Sequence, residues 1–170
     1  VRTEQSRHAA ISAGGIAPLV AMLSGRSVET RAAAAGALAR LASSVDGTIA
    51  MSVDGSSPAI VPLVGLLKEG GFAGGADSPA AAEGRRHAAA SLWHLVSHTS
   101  NARAAVEKGG VPPLVMMLTW PQTARVAEPR AAPSPALIDG QEGAASVLAE
   151  LCLADGDVGP SAQHALQESQ

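Results

Sequence analysis

Ile16-Ala-Pro-Leu-Val-Ala-Met-Leu23, Ile60-Val-Pro-Leu-Val-Gly-Leu-Leu67 and Val111-Pro-Pro-Leu-Val-Met-Met-Leu118 are one motif written three times. Each carries Pro-Leu-Val at the same internal place, beginning at Pro18, Pro62 and Pro113. A proline fits the first turn of a helix, where its missing N–H is no loss. A run that is apolar on every side predicts a short helix buried all round. Each run has eight residues, whereas a membrane span needs roughly 18 or more.

The surroundings of the motif repeat as well. Gly14-Gly15 and Gly109-Gly110 stand ahead of two copies. Glycine stops one helix and lets the chain turn sharply into the next. Short amphipathic pieces, Arg7–Ala13 and Asn101–Lys108, precede those pairs, and the middle copy degenerates to Gly47–Val53 followed by Asp54–Pro58. Longer helices are predicted after each run, near Glu29–Ser43, Glu83–Ser97 and Gln141–Leu153. Leu38, Leu92 and Leu148 correspond, as do Leu41, Leu95 and Leu151, and these six leucines are the expected core. The unit is therefore short helix, glycine turn, buried helix, loop, long helix.

Leu38 lies 54 residues before Leu92, and Leu92 lies 56 before Leu148. The stretch from each long helix to the next Pro-Leu-Val barely changes, so growth is confined to the loop between second and third helices. Allowing for it returns a period near about 45, within the range of helical solenoid repeats.

Composition agrees. Of 170 residues, 46% are hydrophobic and only 2% aromatic, so the core must be built from Ala, Leu, Val and Ile. Ala and Leu lead the helix-propensity scale. The net charge of −3 neutralises no phosphate backbone, and Trp93, Trp120 and Phe72 are too few to stack on bases. Nucleic acid is therefore not an expected partner. One cysteine, Cys152, excludes an internal disulfide. That absence favours the cytoplasm or nucleus, and no basic start followed by an apolar stretch marks a signal peptide.

Ala13–Val20 and Lys108–Val115 resemble the glycine-pair and proline signature of armadillo repeats, and Ala33–Leu41 resembles the family's third helix. HEAT repeats lack this Gly-Gly-Ile-Pro turn. The resemblance implies an all-α fold, an α-solenoid whose three-helix repeats form an armadillo-type right-handed superhelix. Repeat 1 is expected at about 5–45. Repeat 2 falls at about 46–98 with a loop insertion at 69–84, and repeat 3 at about 99–154 with an insertion at 119–140. A fourth repeat starts at about 158–170. No polar capping sequence is evident at either end, so the chain is expected to be a piece of a longer array.

The resemblance also implies a concave groove, lined by third helices, that binds extended segments of other proteins. Import receptors of the family carry a ladder of Trp and Asn there. The Asn step falls on Arg40, His94 and Glu150, and the Trp step on Gly36, Ala90 and Ser146. Neither ladder survives, which argues against an import adaptor. Arg40, His94 and Glu150 instead form a mixed-charge row. His87 joins this polar stripe, whereas Trp93, one place before the Asn step, is expected to pack.

Other chemistry finds little support. His94 and His98 stand at i, i+4, a spacing that can share zinc, but residue 95 is Leu rather than part of an HExxH motif. His87 is about 10 Å further along a helix axis, and no third ligand completes a site. Gly70–Gly75 lacks the Lys-Ser/Thr of a phosphate loop. Cys152 has no base partner and reads as a small packing residue. No Ser occupies a nucleophile elbow. The two long insertions read as loosely packed or disordered loops.

The sequence thus predicts a non-enzymatic protein–protein scaffold or adaptor, without cofactor or metal, inside a larger assembly. Its partner would be an extended segment or a neighbouring subunit, with no membrane insertion. Alternatives are the substrate-recognition region of a modular enzyme such as a ubiquitin ligase, or a cytoskeletal or ciliary structural protein.

Overall fold

Glycine pairs and serine caps divide the chain into helices. The computed structural model describes residues 2–52, 57–69, 78–127, 135–154 and 158–168. Within them the helices run α1 (Arg2–Ser12), α2 (Ile16–Met22), α3 (Val28–Ala42), α4 (Val45–Met51) and α5 (Ile60–Lys68), and continue as α6 (Pro79–Leu95), α7 (Thr99–Glu107), α8 (Val111–Ala127), α9 (Pro135–Leu153) and α10 (Val158–Glu168). No strand occurs among the described residues.

Both glycine pairs end a helix in the same way. Gly14 and Gly109 adopt left-handed φ values of 72° and 70°, a region that costs a side chain but not glycine. The Gly15 N–H then donates to the Ala10 carbonyl at 3.0 Å, and the Gly110 N–H to the Ala105 carbonyl at 2.9 Å. This six-residue closure satisfies carbonyls that would otherwise be orphaned at the helix end. A Cβ on Gly15 or Gly110 would lie 2.9 Å from those same carbonyl oxygens, so each pair needs both of its glycines.

The long helices start at side-chain caps. Ser27 Oγ accepts from the Thr30 N–H, and Ser78 Oγ from the Ala81 N–H. Ser78 followed by Pro79 moves the start of α6 four residues ahead of the expected Glu83. The expected loop Glu69–Gly84 is therefore helical from Pro79 onward, while 70–77 lie outside the described residues. The loop expected at Thr119–Gly140 is also mostly helix, since α8 runs to Ala127 and α9 begins at Pro135. Gln122, Ala124, Arg125 and Ala127 are adequate helix formers and carry α8 past Pro121, and Pro135 suits a first turn. Residues 128–134 lie outside the described residues.

α6 lies between α3 and α9, and these three helices form the spine of the molecule. Their facing positions hold small residues. A Cβ on Gly84 would lie 3.5 Å from that of Ala32, and a Cβ on Gly143 would lie 3.4 Å from that of Ala89. Ser91 Oγ donates to the Ala35 carbonyl at 3.2 Å across the α3–α6 contact. Leu38, Leu41, Leu92, Leu95, Leu148 and Leu151 are all buried, joined by Leu63, Leu67, Val111 and Leu114 from the second helices. The expected core is therefore the observed one, and the architecture is an all-α solenoid.

Polar groups fix the layers to each other. Asn101 of α7 is fully buried. Its Oδ1 accepts from the Ser57 N–H at 2.7 Å, and its Nδ2 donates to the Leu95 carbonyl at 2.9 Å. One side chain thus joins the approach to α5, the end of α6 and the start of α7. Glu69 performs a similar task on the other edge, taking an ion pair from Arg31 of α3 and giving its carbonyl to Arg85 of α6 at 2.7 Å.

Removing the Asn101 side chain orphans the buried Ser57 N–H and leaves the Leu95 carbonyl only a 3.3 Å bond from the His98 N–H. Each such group costs about 1–3 kcal/mol. Asn101→Ala should therefore lower the unfolding free energy by roughly 2 kcal/mol or more in urea titration. Gly84→Ala, which gains helix propensity and meets only ordinary contact, should be neutral or slightly stabilising. A change under about 0.5 kcal/mol for Asn101→Ala would contradict this account of the layer contact.

Candidate protein-binding face

The third helices place equivalent residues on one side because residues four apart stack along a helix face. Gly36 and Arg40 stand on α3, His87, Ala90 and His94 on α6, and Ser146 and Glu150 on α9. Arg40 and Glu150 are exposed, Ala90, His94 and Ser146 are half-buried, and Gly36 is buried. Ser146 is turned back onto its own helix, its hydroxyl donating to the Glu142 carbonyl at 2.8 Å.

Gly36 is covered by a neighbour. A Cβ there would lie 2.9 Å from Nε2 and 3.0 Å from Cδ2 of His87. The place that a tryptophan would take in an import groove is thus occupied by the imidazole of the next helix. His87 is itself only 15% exposed at its side chain, and its Nε2 lies 3.4 Å from Glu83 Oε1. Arg86 approaches the same nitrogen at 3.0 Å and donates to Glu83 at 3.1 Å. An Nε2 that accepts from Arg86 belongs to a neutral ring with its proton on Nδ1. Burial and the Arg86 charge hold His87 below the usual histidine range, Glu83 opposes them, and Arg40 adds a smaller push downward.

Beside this ring a cleft of about 420 Å³ opens between α3 and α6. Glu29, Ala32, Ala33, Gly36 and Arg40 line it from α3, and Ala80, Glu83 and His87 from α6. Glu29 receives the Ser27 hydroxyl at 2.6 Å, and that bond holds its carboxyl below the usual range.

Two expectations fail in instructive ways. Trp93 is 45% exposed instead of packed. Leu92 and Leu95 take the core side of α6, so Trp93, the first of the two residues between them, faces out. The indole rests near the His94 ring, centroid to centroid 4.7 Å, tilted by 37°. Helical phase alone carried this signal. The His94–His98 pair does not share a helix face either. α6 ends at Leu95, and His98 is the extended N-cap of α7, with φ −90° and ψ 123°. Burial lowers the pKa of His94. Among the described residues no three His, Cys, Asp or Glu side chains gather closely enough to hold a metal ion. Cys152 is half-buried and free.

The exposed strip beside the row is also apolar in part. Leu153, at the end of α9, is 79% exposed. The face therefore offers a guanidinium, an indole, an imidazole, a carboxylate and an aliphatic side chain on three adjacent helices.

Residues 3–43, which span nearly all of α1 to α3, match the Armadillo/beta-catenin-like repeat family. No curated protein and no solved structure matches the chain. The first three helices are thus similar to an armadillo repeat, and the helices that follow extend the same all-α solenoid. Such repeats are protein-interaction scaffolds as a rule. No helix among the described residues is long and apolar enough to cross a membrane.

The two half-buried histidines make stability pH-dependent. Their folded-state pKa values lie below the unfolded value, so the unfolded chain binds more protons as pH falls through and below about 6.5. Their contribution is fully present above that pH and is lost as pH drops toward the folded values. Urea titrations should show stability falling from pH 7.5 to pH 5.5, with a shallower slope in His87→Gln. An unchanged slope in that variant would show that His87 is not held neutral by its surroundings.

Proposed function

We propose that this chain is a non-enzymatic scaffold that holds another protein against the exposed side of α3, α6 and α9. The helices are read as three repeats, at about 5–45, 46–98 and 99–154, followed by the first helix of a fourth at about 158–170. The partner is an extended segment or a neighbouring subunit of a larger assembly, and neither cofactor nor nucleic acid takes part. One observation carries this reading: Arg40, Trp93 and Glu150 are exposed on three adjacent helices whose other faces are buried in the core. A rigid base lowers the ordering cost of binding, and aromatic and arginine side chains dominate interface energies.

The same residues disfavour basic ligands of the import type. Gly36 is filled by His87, Ala90 and Ser146 offer no aromatic platform, and Arg40 repels a lysine. Classical nuclear-localisation peptides should bind with Kd no tighter than about 10 µM in fluorescence titration. Photo-crosslinkers at Ser97 and Ala149, introduced into the full chain, should capture the natural partner. Arg40→Ala or Glu150→Ala should then weaken it by roughly 1 kcal/mol or more where the residue is a hot spot. Crosslinks confined to α2, α5 or α8, with both variants binding normally, would remove the third-helix face as the site.

A further inference from the structure

His87 sits where two charged neighbours and a bare stretch of helix meet. Its ring lies over α3, and a Cβ on Gly36 would lie 2.9 Å from its Nε2. Arg86 Nη2 stands 3.0 Å from that nitrogen and 3.1 Å from Glu83 Oε1. Nε2 and Oε1 are themselves 3.4 Å apart. One guanidinium nitrogen therefore serves two acceptors at the corner of a small triangle. The ring and Arg86 are half-buried, and Glu83 is exposed. The charges acting on the ring are Arg86 and Glu83 of its own helix and Arg40 of α3, and Glu29 of α3 lines the same cleft. Among the described residues, α5 and α9 also pack on α6 but add no charge to that set.

We propose that Glu83, Arg86 and His87 form a proton-operated switch, in which His87 exchanges Arg86 for Glu83 when its ring is protonated. A neutral ring accepts from Arg86 only through a bare Nε2, with its proton on Nδ1. Protonation puts a hydrogen on Nε2 and turns that nitrogen into a donor. The Arg86 N–H and the new Nε2–H then point at each other across 3.0 Å, and both groups are cations. Glu83 is the acceptor within reach of both. The imidazolium takes Glu83 Oε1 in a charge-assisted bond, and the Arg86 nitrogen that bridged to the ring turns away from it.

The exchange alters the exposed face as well as the triad. While the ring is neutral, Glu29 and Glu83 balance Arg40 and Arg86. Protonation adds one uncompensated positive charge, so this part of the face passes from balanced to cationic as pH falls. Burial first, and then the Arg86 charge, hold the His87 pKa below the ordinary histidine value, with Glu83 opposing and Arg40 adding a smaller downward push. The Arg86-bridged state is therefore the one present near pH 7, and the exchanged state belongs to more acid conditions. The switch is a property of the fold and does not depend on which partner takes the face.

The test uses the full chain with 15N-labelled histidine and arginine. Long-range 15N–1H correlation spectra read which ring nitrogen carries the proton, and Nη exchange spectra read how freely the Arg86 guanidinium turns. At pH 7.5 His87 should show a protonated Nδ1 and a bare Nε2, with Arg86 turning slowly. Titration toward pH 5.0 should give the imidazolium with a midpoint below about 6.5, and Arg86 should turn faster with that same midpoint. Arg86→Met, which removes both the donor and the charge, should move the neutral proton onto Nε2, facing Glu83, and raise the midpoint. Glu83→Gln should lower the midpoint. Glu83 is exposed, so this second variant reads the exchange without disturbing the packing, and the dispersion of the remaining histidine resonances checks the fold of both. A proton on Nε2 at pH 7.5, or a tautomer and midpoint unmoved by Arg86→Met, would overturn the switch, because the ring would then not be bonded to Arg86. Arg86 motion that stays constant through the His87 titration would overturn the exchange. Either result leaves the protein-binding face standing, since the crosslinks test that reading separately.

Discussion

The structure depends on how closely its third helices approach each other. Two helices can come near only where their facing residues are small, and α3, α6 and α9 present Ala32 to Gly84, Ala35 to Ser91 and Ala89 to Gly143. Near contact brings many weakly attractive atom pairs into range, and it leaves no gap for water. The leucines then point away from this seam toward the second helices, where Leu63, Leu67 and Leu114 receive them. A chain almost without aromatics can build a core this way, because it fills volume by bringing backbones together instead of inserting large rings.

The same constraint shapes the proposed binding face. Helices packed through alanine and glycine carry their outer residues in adjacent rows, so Arg40, His94 and Glu150 stand on neighbouring supports. It also decides what the face cannot be. Gly36 leaves a hollow on α3, and the His87 ring of the next helix lies over it. The result is a covered step and a polar cleft in place of an aromatic platform. Burial of that ring beside Arg86 in turn holds it neutral near pH 7, which links the packing of the spine to the acid–base behaviour of the surface.

Much of this was legible in the sequence because it is written in repeated local signals. The glycine pairs appear as turns since the left-handed residue and the crowded residue must both be glycine. The six leucines appear as core since their spacing recurs from unit to unit. What stayed hidden depends on contacts between distant segments or on competition between local signals. Asn101 looks like an ordinary polar residue in a short helix until Ser57 and Leu95 are brought to its two ends. The position of His87 over Gly36 requires two helices to be in register. The early starts of α6 and α9 at Pro79 and Pro135 fall inside stretches expected as loops, because proline marks a loop as readily as it opens a helix. Trp93 could have been placed correctly from phase alone, since Leu92 and Leu95 already assign the buried side.

The central claim is that α3, α6 and α9 form one rigid stack, and a distance measurement addresses it most directly. Ser43 and Leu153 are exposed near the ends of α3 and α9, two helix spacings apart. Spin labels on Ser43→Cys and Leu153→Cys, in a Cys152→Ala background, report that span by double electron–electron resonance. With packed helices about 8–10 Å apart, the account predicts one narrow distribution centred near roughly 20 Å. A broad or divided distribution, with substantial weight beyond about 35 Å, would contradict it.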